Sequence, residues 1–70
     1  MNCMNTLKIK ARCVELGMTQ EEVARKLGIK SATFSQKINN IRKTGVDEAF
    51  ALAEILQIPD EQFRAYFFAN

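Results

Sequence analysis

The middle third of the chain carries the side chains best suited to chemistry, and that chemistry is contact with a polyanion. Residues 23–46 contain six basic side chains and no acidic one: Arg25, Lys26, Lys30, Lys37, Arg42 and Lys43. Residues 1–22 are neutral overall, whereas residues 47–70 hold five acids against Arg64 alone. This clustering, on a chain with a net charge of only +2, is typical of a phosphate-binding surface. A solvated basic face without a partner is the alternative.

Catalytic and metal-binding chemistry finds little support in the residue types. The chain has no histidine, so neither Cys3 nor Cys13 has an imidazole partner to activate its thiol. Two cysteines without histidine also fall short of a four-ligand zinc site, and three isolated glycines form no phosphate-binding loop. We therefore expect no enzyme, no metal, no cofactor and no small-molecule ligand, and we expect both cysteines to be free thiols.

The sequence predicts neither membrane insertion nor export. No apolar run approaches the roughly 20 residues that span a bilayer, and the first ten residues lack an apolar core and a cleavage site. The expectation is a single cytoplasmic domain over residues 1–70. A domain of this length leaves much of its surface exposed, so its stability is marginal unless packing or association helps.

Helical periodicity repeats along the chain, and alternating runs typical of strands are missing from the sequence. The first helix is predicted from Thr6 to Leu16, with Gly17 as its stop. Two apolar stripes compete for its buried face, and the sequence does not decide between them. One consists of Leu7, Ala11 and Val14, and the other of Ile9, Cys13 and Leu16.

A capping box marks the start of the second helix. The hydroxyl of Thr19 can accept from the amide of Glu22, whose side chain reaches back. Gly28 ends this helix after about two turns. Its inward face is formed by Val23, Ala24 and Leu27.

Two further helices are predicted in the C-terminal part of the chain. The fourth helix of the series runs from Val46 to Leu56, and Pro59 breaks it because proline disfavours a helical conformation in the preceding residue. Asp60 is expected to cap a short fifth helix. That helix carries Phe63, Tyr66, Phe67 and Phe68. The predicted fold is thus a compact, all-α, five-helix domain.

The second helix and the one after it meet the requirements of a helix-turn-helix over about residues 19–39. Ala24 is small where the next helix crosses closely, and Gly28 stands where the chain reverses with a positive backbone angle. The third helix is predicted to begin near Lys30 or Ser31 and to continue to about residue 39. The apolar residues that hold it to the core are Ile29, Phe34 and Ile38.

The same stretch resembles the phage Cro and lysogeny-repressor helix-turn-helix family. The likeness lies in TQEEVARKLGI at residues 19–29, in SATFSQKINN at residues 31–40 and in AEILQIP at residues 53–59. It extends over about residues 5–68. The resemblance implies a lambda-repressor-like fold and a small repressor-type regulator of phage or prophage origin. Such a protein would bind double-stranded DNA sequence-specifically in a bacterial cell or phage-infected host.

A recognition helix enters the major groove and presents its N-terminal residues to base edges. Short side chains at the start of the third helix would allow a close approach. Gln36 could pair with adenine, and Ala32 or Thr33 could touch a thymine methyl. Solvated surface is the alternative for the serines. The predicted base-reading residues are Ser31, Ala32, Thr33, Ser35 and Gln36.

Phosphate contacts are predicted around this helix because they position a protein on DNA without reading its sequence. The resemblance places Gln20 against phosphate at a helix N-terminus, with simple capping as the alternative. The predicted set is Gln20, Lys30, Lys37, Asn39, Asn40, Arg42 and Lys43. The two asparagines could equally just end the helix, and Arg25 and Lys26 could be ordinary solubilising charge.

Lys37 departs from the pattern of the family, which often has an apolar residue one position before Ile38. The helix could therefore be slightly rotated or shifted. In that arrangement the Lys37 stem would lie on apolar surface with its ammonium group in solvent.

The aromatic tail permits two interpretations. Phe63, Tyr66, Phe67 and Phe68 could cover the fourth helix and complete the core, or they could form a homodimer interface. A dimer would set two recognition helices about 34 Å apart, one turn of DNA. Two other functions stay open: a protein-binding helical module, such as an antirepressor or antitoxin, that uses the aromatic tail, and a recombination accessory factor.

Overall fold

The fold is known from a computed structural model that describes residues 4–68, and within that range it contains helices and no strand. The helices are α1 (Thr6–Glu15), α2 (Gln20–Leu27), α3 (Ser31–Ile38), α4 (Val46–Ile55) and α5 (Phe63–Phe67), with a 3-10 turn at Asp60–Gln62 between the last two. The prediction of an all-α, five-helix domain is confirmed.

The first helix buries only one of its two apolar stripes. Ile9 and Cys13 lie in the core, whereas Leu7 and Val14 are 79% and 78% exposed. The side chain of Arg12 helps to fix this orientation, because it donates to the carbonyl oxygens of residues 56 and 57 at 2.8 and 2.9 Å. Those carbonyls follow the last turn of α4, where intrahelical partners run out.

The capping box and the glycine turn of the second helix are both as predicted. The Glu22 amide donates to Thr19 Oγ1 at 3.1 Å, and the Thr19 amide donates to Glu22 Oε1 at 3.0 Å. Gly28 has a φ of +78°, and no atom lies within 4 Å of where its Cβ would stand. Glycine is therefore required at this turn by backbone conformation and not by lack of space.

A single core receives side chains from α1 to α5. Its largest fully buried members are Ile9, Val23, Phe34, Ile38, Leu52 and Leu56. Ala24 is also buried, and Leu27 and Ile29 pack against this core from either side of Gly28. The apolar residues predicted to hold α3 in place thus take that role.

The C-terminal elements differ from the prediction in detail. Asp60 does not cap α5, because it opens a 3-10 turn whose N-cap is Pro59, and α5 begins only at Phe63. α4 ends at Ile55 and is followed by Gln57 with a φ of +54°, a left-handed conformation at a residue that is not glycine. This reversal lets the buried Ile58 return to the core.

The chain before α1 is attached to the end of α3. The Asn40 side chain accepts from the Met4 amide at 2.9 Å and donates to the Met4 carbonyl at 3.0 Å, while Met4 itself is buried. The Thr6 hydroxyl donates to the carbonyl of Ile38. These contacts join segments more than 30 residues apart and hold the end of α3 in place.

Candidate nucleic-acid interface

α3 presents a largely polar face to solvent because its two large apolar residues are entirely buried. Phe34 and Ile38, four residues apart, both have no exposed area. On the opposite side Ala32 and Gln36 are exposed, and Ser31 is exposed as the first residue of the helix. Since residues four apart share a helix face, Ala32 and Gln36 project together.

Two of the predicted base-reading residues are less accessible. Thr33 and Ser35 are half-buried. The carbonyl of Ser35 accepts from the Asn39 side-chain amide at 2.8 Å, and its hydroxyl lies 3.5 Å from the same nitrogen. The structure therefore brings Ser31, Ala32 and Gln36 fully to the surface and leaves Thr33 and Ser35 at its margin.

Basic side chains flank this face at both ends. Lys30 is the N-cap residue of α3, and Arg42 and Lys43 follow its C-terminus; all three are exposed. Within residues 4–68 none of the three takes part in an ion pair. We call these three residues, together with Ser31, Ala32 and Gln36, the α3 face.

The loop that carries Arg42 and Lys43 folds back onto α3. The amides of Ile41 and Arg42 both donate to the carbonyl oxygen of Gln36, at 2.8 and 3.2 Å. The reversal passes through Asn40, which has a φ of +62°. The loop is thereby placed beside the helix end that carries the Gln36 side chain.

Lys37 does not point into solvent, so that expectation is wrong. Its ammonium group lies 2.9 Å from Glu48 Oε1 and donates to the carbonyl of Lys43 at 3.0 Å, and its side chain is only 13% exposed. α3 is not rotated to achieve this, because Phe34 and Ile38 both remain fully buried. The sequence did not reveal the partner because Glu48 lies on another helix.

The remaining polar candidates differ in whether their side chains already have partners within the protein. The Asn40 side chain forms hydrogen bonds with the backbone of Met4, and the side-chain amide of Asn39 donates to the carbonyl of Ser35. Gln20 is the first residue of α2 and is half-buried, while the cap itself is supplied by Thr19. Capping therefore does not explain Gln20, whereas a structural role does explain Asn40.

The aromatic tail is split between core and surface. Tyr66 and Phe67 are buried, Phe63 is partly buried, and Phe68 is 37% exposed. The structure thus leaves two of the four residues predicted for a dimer interface inside the monomer core. Their burial also weakens the alternative of a partner-binding aromatic tail.

Sequence reasoning missed other apolar side chains at the surface. Val46 and Phe50, one turn apart on α4, are 64% and 57% exposed. The Phe50 ring stacks on Phe63 at 5.0 Å, the Phe63 and Phe68 rings are 5.8 Å apart, and Val46 and Phe68 line one small cavity. We call these four residues the apolar patch.

The cysteine chemistry of the described residues is limited to one thiol. Cys13 is free and buried, and desolvation raises the pKa of its thiol, which makes the reactive thiolate scarcer. Cys3 lies outside the described residues. No helix between residues 4 and 68 has the length and apolar character needed to cross a membrane.

The glycine turn between α2 and α3, the exposed face of α3 and its basic flanks are those of a helix-turn-helix domain. A model of the helix-turn-helix family matches residues 9–63. The chain belongs to this family of DNA-binding regulators, and double-stranded DNA is the partner that the family indicates. No curated protein and no solved structure matches the chain significantly.

Proposed function

We propose that the chain is a sequence-specific, repressor-type transcriptional regulator that reads the DNA major groove with α3. The observation that carries the proposal is the α3 face: Ala32 and Gln36 are exposed opposite the fully buried Phe34 and Ile38, and Ser31 is exposed at the start of the helix. The proposal takes residues 1–70 as one domain acting in the cytoplasm of a bacterial or phage-infected cell, and it extends to a phage or prophage origin of the Cro type.

The exposed side chains suit direct contact with base edges. The major groove is about 12 Å wide and admits one helix, provided that the side chains on its outer face are short. Ser31 and Ala32 meet that condition, and Ala32 offers a methyl group to thymine. Gln36 can pair with adenine through two hydrogen bonds, which would contribute about 1–3 kcal/mol of discrimination.

The flanking cations suit the phosphates on both sides of that groove. Lys30 precedes the helix, and Arg42 and Lys43 follow it, so the three charges can hold the helix in register without reading sequence. Three neutralised phosphates would give a salt slope of roughly −2.7 in a plot of log affinity against log salt concentration. Gln20 and Asn39 are further candidates for contact with the DNA backbone.

A homodimer on DNA is part of the proposal, with the apolar patch as its interface. Val46, Phe50 and Phe68 expose apolar area that one copy of the domain leaves uncovered. Burying such area on association is favourable by about 25 cal/mol per Å² before the cost of ordering is counted. A two-fold dimer implies a palindromic operator with half-sites about 34 Å apart.

Selection of bound sequences from a random duplex pool tests the central claim. We expect an enriched motif with two-fold symmetry, bound with a steep salt dependence. Gln36→Ala should weaken binding to that motif about tenfold or more and relax the preference at one base position. Gln62→Ala, a change of an exposed glutamine outside the α3 face, is the matched control and should leave binding unaltered.

Two outcomes would contradict the proposal. Failure to enrich any motif at low salt would remove sequence-specific recognition. Equal effects of the two glutamine substitutions would show that α3 does not read the bases. Repression is tested separately by placing the selected operator in a reporter promoter; loss of expression is expected, whereas a role in recombination would leave expression unchanged.

A further inference from the structure

One ion pair closes the loop between α3 and α4. The Lys37 ammonium group, in the last turn of α3, lies 2.9 Å from Glu48 Oε1 in the first turn of α4. The same carboxylate oxygen accepts from the Gly45 amide at 3.0 Å. Lys37 also donates to the carbonyl oxygen of Lys43 at 3.0 Å. The side chains of Lys37 and Glu48 thus connect the two helices and hold the loop at Lys43 and Gly45.

The other end of this loop is held by the backbone. The amides of Ile41 and Arg42 donate to the Gln36 carbonyl. The backbones of Arg42 and Lys43 take part in these contacts, while their side chains are exposed. Their direction relative to α3 therefore depends on the contacts that Lys37 and Glu48 make.

Charge alone would argue against an acid in this position. A carboxylate beside a phosphate-binding surface repels the ligand, and it also occupies an ammonium group that could otherwise bind phosphate. Lys37 is directed away from solvent, with 13% of its side chain exposed, whereas Glu48 is 38% exposed. Against this loss of positive charge stand the contacts themselves, which stabilise the first turn of α4 and fix the geometry of the loop.

We infer that Lys37 and Glu48 are positioning residues for DNA binding. Their ion pair holds Arg42 and Lys43 where both can contact the phosphates that flank the groove occupied by α3. Lys37 itself does not bind phosphate. This inference rests on the proposed function, because it assumes that the α3 face binds duplex DNA.

The experiment compares two neighbouring acids of α4 by measuring DNA affinity over a range of salt concentrations. Glu48→Gln removes one negative charge and breaks the ion pair. Asp47→Asn removes one negative charge at an exposed neighbour that, within the described residues, forms no ion pair. Both variants have the same net charge, so a difference between them reports the contacts of Glu48.

We expect the two substitutions to change DNA affinity differently. Asp47→Asn should bind equally well or slightly more tightly, because a repulsive charge is gone. Glu48→Gln should bind about tenfold more weakly, with a salt slope shallower by up to roughly 1.8, although no cation has been removed. If Lys37 were a phosphate ligand restrained by Glu48, Glu48→Gln would bind more tightly with a steeper slope, and the inference would be overturned.

Two additional variants separate positioning from loss of folding. Lys37→Arg retains a cation able to reach the same acceptors and should bind within about twofold of the unmodified chain. The double variant Lys37→Met/Glu48→Gln should be no weaker than Lys37→Met alone, because the second change removes a contact that is already lost. Circular dichroism at the binding temperature verifies that each variant is folded. If Glu48→Gln unfolds, the DNA affinities of Lys37→Arg and Lys37→Met are compared instead. Equal weakening of DNA binding in these two variants would overturn the inference.

The outcomes distinguish this inference from the proposed function. If the unmodified chain selects no DNA sequence, the proposed function fails. If it selects a sequence and Gln36→Ala weakens binding, but Glu48→Gln behaves like Asp47→Asn, only the positioning role is refuted.

Discussion

The α3 face and the apolar patch are two surfaces of similar origin and opposite chemistry. Each is the outer side of short helices whose inner side contributes to the same core. The α3 face has small polar side chains between cations, whereas the apolar patch has aromatic rings near the acids of α4 and the 3-10 turn. One surface suits a polyanion and the other an apolar partner. A small domain can therefore devote different faces to DNA and to association.

The comparison also shows why exposure must be known residue by residue. On α3 the spacing of Phe34 and Ile38 determines the buried side, and Ala32 and Gln36 are left on the opposite, exposed side. At the end of α5 and just after it every residue from Tyr66 to Phe68 is aromatic, so the sequence pattern alone cannot separate the core from the surface. Both helices are predicted, although α5 begins later than expected, but only α3 has a sequence that also predicts its orientation.

The largest expected effect tests whether the apolar patch is distinct from the core. Phe67→Ala should lower the free energy of unfolding by about 3–5 kcal/mol, because Phe67 is buried and its removal leaves a cavity. Phe50→Ala should cost less than about 1.5 kcal/mol, mainly through the lost stacking on Phe63. Urea denaturation measures both. Similar losses in the two variants would place Phe50 in the core and remove the distinction.

A second prediction assigns separate tasks to the two surfaces. Phe50→Ser should abolish cooperative binding to a two-half-site operator while leaving affinity for a single half-site unchanged, because it alters only the apolar patch. Lys43→Ala should weaken both by about tenfold and reduce the salt slope by roughly 0.9 for each monomer. Lys10→Ala, on the exposed side of α1, is the charge control. The distinction between the surfaces is lost if Phe50→Ser weakens half-site binding as Lys43→Ala does.

A third prediction concerns the turns that orient the two surfaces. Gly28→Ala should lower the free energy of unfolding by about 1–2 kcal/mol, since an alanine must adopt a φ near +78°. The reverse change at the end of α4, Gln57→Gly, should raise it by up to about 1 kcal/mol, because Gln57 already has a positive φ. Thermal unfolding measures both. If both substitutions lowered the free energy of unfolding, or both raised it, the conformational explanation would be contradicted.

Local signals in the sequence predict most of the fold. The capping box at Thr19, the turn at Gly28 and the proline at 59 all act on neighbouring residues, so helix boundaries follow to within a residue or two. The two stripes of α1 could not be ranked in this way. Ile9 and Cys13 are buried because the rest of the core lies on their side of the helix, and this depends on tertiary packing.

The contacts that fix the candidate site are long-range and escaped prediction. Lys37 meets Glu48 across 11 positions, and Asn40 meets Met4 across 36. Neither pair is three or four positions apart, the spacing that brings side chains together on one helix. For this reason the sequence could suggest that Lys37 and Asn40 contact phosphate, but it could not show that their polar groups already have partners within the protein.

The smallest expected effect concerns the acid that joins α3 to α4. The Gly45 amide and the Lys37 ammonium group hold the pKa of Glu48 below its usual value near 4.5. A carboxyl group with a lowered pKa in the folded state contributes stability above its unfolded pKa, and this contribution is lost as pH falls through the folded pKa. The contribution is less than about 1 kcal/mol, because the group is partly screened by solvent.

Denaturation of the unmodified chain and of Glu48→Gln at a series of pH values measures this contribution. The unmodified chain should be the more stable one above about pH 5, and the difference should shrink toward about pH 3 as the carboxylate is protonated. A gap between the unmodified chain and Glu48→Gln that stays constant over this range would mean that the contacts of Glu48 do not depend on its charge. The attachment of the α3–α4 loop would then be a matter of shape alone.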